Sequence, residues 1–263
     1  MHFWKAHAYG NDFLYATAAD VGDRDLPALA RRMCARTTGV GADGLIRFEP
    51  RPGGARMRLH NADGSLAEVS GNGVRGLAAL LARLQGGTAG DTFVVDTDAG
   101  AKRLDLVSYD EKQRPVFLAA MGQPERLTEE VVTVGDQPLT LATLWMGNPQ
   151  AVWLVDHLDA RDMLRVGEAL QRHPAFPDAV NLELARVVSP GEVEILIYER
   201  GVGPTQSSGT GSCAAAVAAA AFGGADRDVV VVAPGGRQRV EWRTDGVHLT
   251  GWAEVLCEGT WLA

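Results

Sequence analysis

Two short loops carry the residues best suited to chemistry. Ser70-Gly71-Asn72-Gly73 and Ser208-Gly209-Thr210-Gly211 each set a hydroxyl among flexible backbone amides, just before an alanine-rich run. If each run is a helix, its first turn leaves N–H groups unpaired and carries a partial positive charge, which suits a carboxylate. Working as a pair, Ser70 and Ser208 could take a proton from one face of a carbon and deliver one to the other face. The loop amides would meanwhile stabilise charge building on an adjoining carboxylate. Each serine taken singly is well explained as a helix cap; it is the symmetric, glycine-flanked pair that points to a shared cleft.

Other polar residues fit the same chemistry. Asn11, Asn61 and Asn148 each stand beside turn residues, where asparagine also serves purely to tolerate unusual backbone angles. Glu199-Arg200 closes a strand-like run before Gly201, so the Arg200 guanidinium could fork onto a carboxylate or form a surface ion pair. Gly39 to Gly44 matches G-x-G-x-x-G, but a polar segment precedes it and a strand-like run follows, the reverse of a dinucleotide site. A pyridoxal cofactor needs a Schiff-base lysine, and Lys5, Lys102 and Lys112 all lie outside the symmetric loops. Proton transfer here is therefore expected to need no cofactor. Cys34, Cys213 and Cys257 are widely spaced, and the six histidines form no H-x-x-x-H pair, so neither a disulfide framework nor a zinc site is expected.

The elements that must hold these residues repeat once along the chain. Asn11 and Asn148 are 137 residues apart, Ser70 and Ser208 are 138 apart, and Gly100 and Gly236 are 136 apart, in one order. An ancient duplication is implied. Alternating runs predict strands at 13–16, 45–48, 57–60, 93–96, 151–155, 193–198, 229–232 and 247–249. Helices are expected at 74–84 and 212–222, both apolar nearly all round and hence buried, and at 26–36 and 160–172. The fold class is thus α/β (α+β): two pseudo-symmetric halves, 1–120 and 121–263, each a mostly antiparallel or mixed sheet wrapped about a central helix. The final strand is free to cross to the first half, and the site should lie in the cleft between halves. Turns at Gln123-Pro124, Gly135 and Gln137-Pro138 place the join near 115–140. With 46% hydrophobic residues and a net charge of −8, the chain suits a globular protein that repels nucleic acid. Its longest apolar run, Ala214 to Phe222, is too short to span a bilayer. A small-molecule partner in a reducing cytoplasm fits best, and homodimerisation stays open.

Nearly the whole chain resembles the diaminopimelate epimerase family. Lys5 to Phe13 is similar to its opening K-x-H-x-x-G-N-D-F, Gly39 to Leu45 to G-[VI]-G-A-D-G-L, and Asn61 to Gly73 to N-A-D-G-S-x-A-E-[MV]-C-G-N-G. Met146 to Pro149 matches M-G-N-P, Val180-Asn181 the V-N pair, and Glu199 to Gly211 E-R-G-[VA]-G-x-T-x-x-C-G-T-G. The resemblance implies a cofactor-independent inversion of one stereocentre of LL-diaminopimelate, with two opposed cysteines as base and acid. By position, Asn11, Asn61, Asn148, Asn181, Glu199 and Arg200 would hold the substrate, and the amides of Gly71, Asn72, Gly209 and Thr210 would face its reacting carboxylate. Both cysteine positions, however, are serine here, Ser70 and Ser208, and Gln150 stands where the family usually has histidine. A thiol titrates near about 8.5, whereas a hydroxyl needs an activating neighbour to act as a base. A natural branch using serines is one explanation, and the related hydroxyproline epimerases resemble a precedent with serine at one such position. A disabled or engineered epimerase and an amino-acid binder without turnover are the others. A serine hydrolase would need a histidine at Ser208; His7 and His60 lie nearest the motifs.

Overall fold

A computed structural model of the chain describes residues 1–262. Residues cluster into two compact units, Met1–Ala119 with Gly251–Ala263, and Ala120–Thr250. The last strand therefore belongs with the first unit rather than with 121–263.

In the first unit β1 (His2–Ala8) turns back into β2 (Asn11–Thr17) through Tyr9-Gly10, both with positive φ. Helices α1 (Ala18–Val21) and α2 (Leu26–Cys34) lead to β3 (Gly44–Arg51), β4 (Gly54–Asn61) and the short β5 (Leu66–Ala67). Then come α3 (Gly71–Gln85), β6 (Thr92–Thr97), β7 (Gly100–Tyr109) and β8 (Pro115–Gly122), which runs across the boundary between units. The second unit follows the same plan: β9 (Glu125–Val134), β10 (Gln137–Trp145), β11 (Pro149–Leu154), α4 (Ala160–Leu170), β12 (Asn181–Ser189), β13 (Glu192–Glu199) and β14 (Gly203–Thr205). After it come α5 (Gly209–Phe222), β15 (Asp228–Ala233), β16 (Gly236–Arg243) and β17 (Gly246–Trp252), and β18 (Glu254–Thr260) returns to the first unit.

The duplication holds at the level of strand register. The first unit orders its strands β18-β1-β2-β3-β4-β6-β7-β8, antiparallel except at β2–β3 and β4–β6. The second orders them β9-β10-β11-β12-β13-β15-β16-β17, antiparallel except at β11–β12 and β13–β15. Every parallel pair is bridged by a helical crossover, as parallel pairing requires. Tyr15, Ile46 and Leu59 stand side by side on β2, β3 and β4, and Val152, Glu183 and Ile197 stand at the corresponding places on β11, β12 and β13.

Each sheet wraps one buried helix. Leu77, Ala78, Leu80 and Leu81 of α3 pack among Tyr15, Phe48, Leu59, Phe93 and Phe117, and α3 touches β1, β2, β6, β7 and β18. Helix α5 buries every residue from Gly211 to Ala219, its small alanines letting β10 to β13, β15 and β16 close around it. Helices α2 and α4 are amphipathic and each covers a separate apolar cluster. No helix among the described residues is long and apolar enough to cross a membrane.

The expected strands and helices all exist, but residues 115–140 are not a loose join. Strands β8, β9 and β10 fill that stretch, and Gln137-Pro138 opens β10, Pro138 lying opposite Thr133. Sequence reasoning did not name β1, β5, β7 to β10, β12, β14, β16 or β18; β9 exposes most of its residues on both faces and so shows no alternation.

One close approach sets the seat of α3. The Tyr15 hydroxyl, fully buried, donates to the Gly73 carbonyl at 2.9 Å, and a methyl added at Gly76 would fall on that same oxygen. Gly76→Ala should destabilise the protein by about 1–3 kcal/mol through overpacking. In a denaturant double-mutant cycle Tyr15→Phe should recover part of that loss, giving a non-additive pair; simple additivity would mean α3 is free to shift.

Candidate active site

The two loop serines are built alike. Ser70 caps α3 with φ −129° and ψ 124°, and its Oγ accepts from the Gly73 amide at 3.1 Å. Ser208 caps α5 with φ −135° and ψ 128°, and its Oγ accepts from the Gly211 amide at 3.2 Å. Each serine carbonyl accepts the first helical bond, from Val74 and from Ser212. Both expectations for Ser70 and Ser208, cap and candidate proton carrier, therefore meet in one oxygen at the positive end of a buried helix. Their surroundings differ. Ser70 is half-buried with Gly71 exposed beside it, whereas Ser208 and Gly209 are buried.

In the first unit, Asn72 is buried and its Oδ1 accepts from Arg75 Nη1 at 3.2 Å, the Arg75 guanidinium lying over the Tyr9 ring. Asn11 Nδ2 donates to Asp43 Oδ2 at 2.6 Å. Asn61, opposite Gly44 in the β3–β4 ladder, donates to Ser65 Oγ at 3.0 Å. The structure thus brings Asn11 and Asn61 to adjoining strand ends. Beneath Asn11 lies an ion cluster that sequence reasoning missed: Lys5 Nζ is 2.9 Å from Asp12 Oδ2, and Arg36 bridges Asp12 and Asp43 at 2.8 and 2.7 Å. Burial opposes charge on Asp12, but hydrogen bonds from Arg36 and Lys5 outweigh it and hold the carboxyl below its usual range.

In the second unit the candidates converge through direct bonds. Asn181, buried and opposite Gln150 in the β11–β12 ladder, donates to the Pro149 carbonyl and accepts from the Arg200 amide, both at 2.9 Å. That brace fixes the corner where Glu199 ends β13 and Arg200 begins the turn. The exposed Arg200 guanidinium gives one bond to the Asp178 carbonyl at 3.2 Å. Gln150, also buried, has one end of its side-chain amide 2.6 Å from Asn148 Oδ1 and 3.1 Å from Thr210 Oγ1, and the other end 3.1 and 3.2 Å from the two Glu183 oxygens. Thr210 Oγ1 lies 3.5 Å from Ser208 Oγ.

Sequence reasoning also missed Glu183, which is wholly buried on β12. Burial, and then the nearby Glu199, push its carboxyl well above the usual carboxylate range. The available signal was an acid bracketed by Leu182 and Leu184 in an otherwise apolar run.

Neither serine is hydrogen-bonded to a histidine; their oxygens bond only to Gly73, Gly211 and Thr210 among the described residues. The cysteines do not replace the missing thiols either. Cys213 is buried inside α5, Cys257 is exposed on β18, and burial pushes the Cys34 thiol up to about 12.

The fold is shared with solved structures. A hydroxyproline epimerase from Agrobacterium vitis, solved with bound trans-4-hydroxy-L-proline, superposes with a TM-score of 0.70 at 15% identity, covering 98% of this chain and 91% of that one. A phenazine biosynthesis protein of the PhzF family from Bacillus anthracis gives 0.76 at 14% identity, covering 100% and 99%. Closer kinship lies in sequence: the diaminopimelate epimerase family model matches residues 3–127 and 142–256. The diaminopimelate epimerase of Desulforudis audaxviator is 39% identical over 279 residues, covering 100% of this chain and 99% of its own length. The chain belongs to the diaminopimelate epimerase family.

The Asp12 cluster gives a signed pH effect. Because the folded state lowers this carboxyl's pKa, its contribution is complete above the ordinary carboxylate range and is lost as pH falls through the lowered folded value. Asp12→Asn should therefore lower the thermal midpoint clearly at pH 7, with the gap to the unaltered protein closing below about pH 4. A gap that stays constant with pH would remove the charge from the explanation.

Proposed function

We propose that the chain inverts the α-carbon of an amino acid without a cofactor, converting LL-diaminopimelate to the meso form, with Ser70 and Ser208 as the two proton carriers. The observation behind these roles is the matched pair of helix starts. Each serine oxygen holds the same backbone geometry, the same bond from the amide three residues on, and the same position at a helix N-terminus.

From there the chemistry follows. The substrate carboxylate would take the amides of Gly71, Asn72, Gly209 and Thr210, where positive helix ends stabilise the charge that grows as the α-proton leaves. Asn11, Asn61, Asn148, Asn181, Glu199 and Arg200 would hold the substrate's remaining amino and carboxylate groups. One serine, as alkoxide, would take the proton while the other, as hydroxyl, gives its own to the opposite face. Three widely spaced cysteines suit a reducing cytoplasm as the place of work.

The serines themselves are the point to test, since a binder without turnover would keep the same substrate-holding groups. Solvent deuterium incorporation at the α-carbon of LL-diaminopimelate measures turnover directly. Ser70→Cys with Ser208→Cys should raise exchange by at least about a hundred-fold, and either single change should help much less, because inversion needs acid and base together. Adding Gln150→His should raise it further if histidine tunes a neighbouring thiol. Absence of exchange in the triple variant, despite substrate binding, would leave a binding protein.

Substrate holding has its own test. Arg200→Ala should weaken binding of diaminopimelate by about 1.5–3 kcal/mol in calorimetry; unchanged affinity would return Arg200 to a surface role.

A further inference from the structure

Ser208 sits at the end of a buried polar chain that Ser70 lacks. Glu183, Gln150 and Thr210 lead from the interior of the second unit to the Ser208 oxygen, and Glu183 and Gln150 are almost completely buried. The repeat supplies the comparison. Shifted by 137 or 138 residues, Glu183, Gln150 and Thr210 correspond to Ile46, Phe13 and Asn72. A methyl added to Gly73 would meet Ile46 Cδ1 at 2.9 Å, and one added to Gly211 would collide with Glu183 Oε1. The same spot beneath the helix start is therefore filled by a methyl group in one unit and by a carboxyl in the other. Packing alone is satisfied by isoleucine there, so the carboxyl calls for a different reason.

That reason lies in the direction of the hydrogen bonds. With Gln150 Nε2 donating to Asn148 Oδ1 at 2.6 Å, its Oε1 lies 3.1 and 3.2 Å from the two Glu183 oxygens and its Nε2 3.1 Å from Thr210 Oγ1. A protonated Glu183 completes this arrangement. Its O–H donates to Gln150 Oε1, Nε2 donates to Asn148 and to Thr210 Oγ1, and the Thr210 O–H is left to donate to Ser208 Oγ. Ser208 Oγ then accepts from Thr210 and from the Gly211 amide together. An ionised Glu183 reverses the chain. Oxygen would face oxygen unless the Gln150 amide turned over, and that turn puts Gln150 Oε1 against Asn148 Oδ1, so Asn148 must turn as well. Thr210 would then donate to Gln150, and Ser208 would have to donate to Thr210. The groups facing the carboxyl are Gln150 on β11, Glu199 on β13 and the first turn of α5, and Glu199 is the charged one among the described residues. Its negative charge and the burial both favour the proton on Glu183.

We propose that Glu183 is a positioning residue which, through Gln150 and Thr210, fixes whether Ser208 Oγ receives or gives a hydrogen bond. Protonated Glu183 directs two donors at Ser208 and favours its alkoxide, and ionised Glu183 withdraws one. This rests on Ser208 being a proton carrier, and the test separates the two ideas. Carbon-13 and nitrogen-15 NMR of the protein without substrate, with the Glu183 signal assigned by Glu183→Gln, should show a protonated carboxyl at pH 7. The Gln150 side-chain amide should shift at the pH where that carboxyl titrates. A carboxylate signal at pH 7, or a Gln150 amide that ignores the titration, would overturn the proposal whether or not the protein turns over substrate. Exchange kinetics then read the effect on chemistry. In the unaltered protein kcat should fall as pH rises through the Glu183 titration with KM unchanged, and Glu183→Gln, a fixed donor, should abolish that fall. Thr210→Val should lower kcat by at least about ten-fold while Thr210→Ser restores it; a valine variant as fast as the original would also overturn the proposal. If the NMR result holds and no variant exchanges at any pH, the coupling stands and the epimerase activity falls.

Discussion

Everything in this protein depends on how a helix with no polar face begins. Helix α5 is buried on all sides and α3 along most of its length, and the first N–H groups of each need acceptors, those of α5 in a buried setting and those of α3 at a partly open end. The Ser70 and Ser208 oxygens supply those acceptors. The sheets curl around the helices, the strand ends gather near the helix starts, and the residues suited to hold a substrate stand on those strand ends. A capping oxygen is also one already surrounded by positive potential, which makes the structural requirement and the chemical opportunity the same atom.

Much of this was legible in the sequence because glycine-rich loops before apolar runs leave a strong local trace, and because the trace occurs twice. The repeat offsets carry information beyond any single motif: once the two ladders are known, they pair Ile46 with Glu183 as equivalent places. Strands β7 to β10 were harder. Many of their residues are exposed, those of β9 on both faces, so little apolar pattern marks them, although each pairs with its neighbour in sequence. The crossing of β18 back to β1 is non-local.

At the site, residues in turns carry a local sequence signal and residues acting from beneath do not. Asn181 illustrates the difference. Resemblance to the family's V-N pair suggested a binding group, and the structure adds that its side chain ties Pro149 to Arg200 and so shapes the corner. Lys5, Asp12, Arg36 and Asp43 come from three separate segments, and only folding makes them a cluster. Glu183 has no motif of its own. Its meaning comes from what it replaces in the other half.

Duplication gave both halves the same scaffold, but proton transfer asks unequal things of them. The base must start as an alkoxide and needs that charge stabilised, whereas its opposite number must hold a proton until the carbanion forms. Hydrogen bonds to a charged oxygen are worth about 1.5–3 kcal/mol each, so one additional donor changes the ease of ionisation by about one to two orders of magnitude. Among the described residues the Ser70 oxygen takes its bond from the Gly73 amide, and the Asn72 side chain accepts from Arg75. Ser208 has the Gly211 amide with Thr210 within reach, and behind Thr210 a buried acid in place of isoleucine. With thiols at both positions such a difference would matter little, because a thiolate forms readily near neutral pH. With hydroxyls it would decide which side ionises, and on the proposed roles that part falls to Ser208.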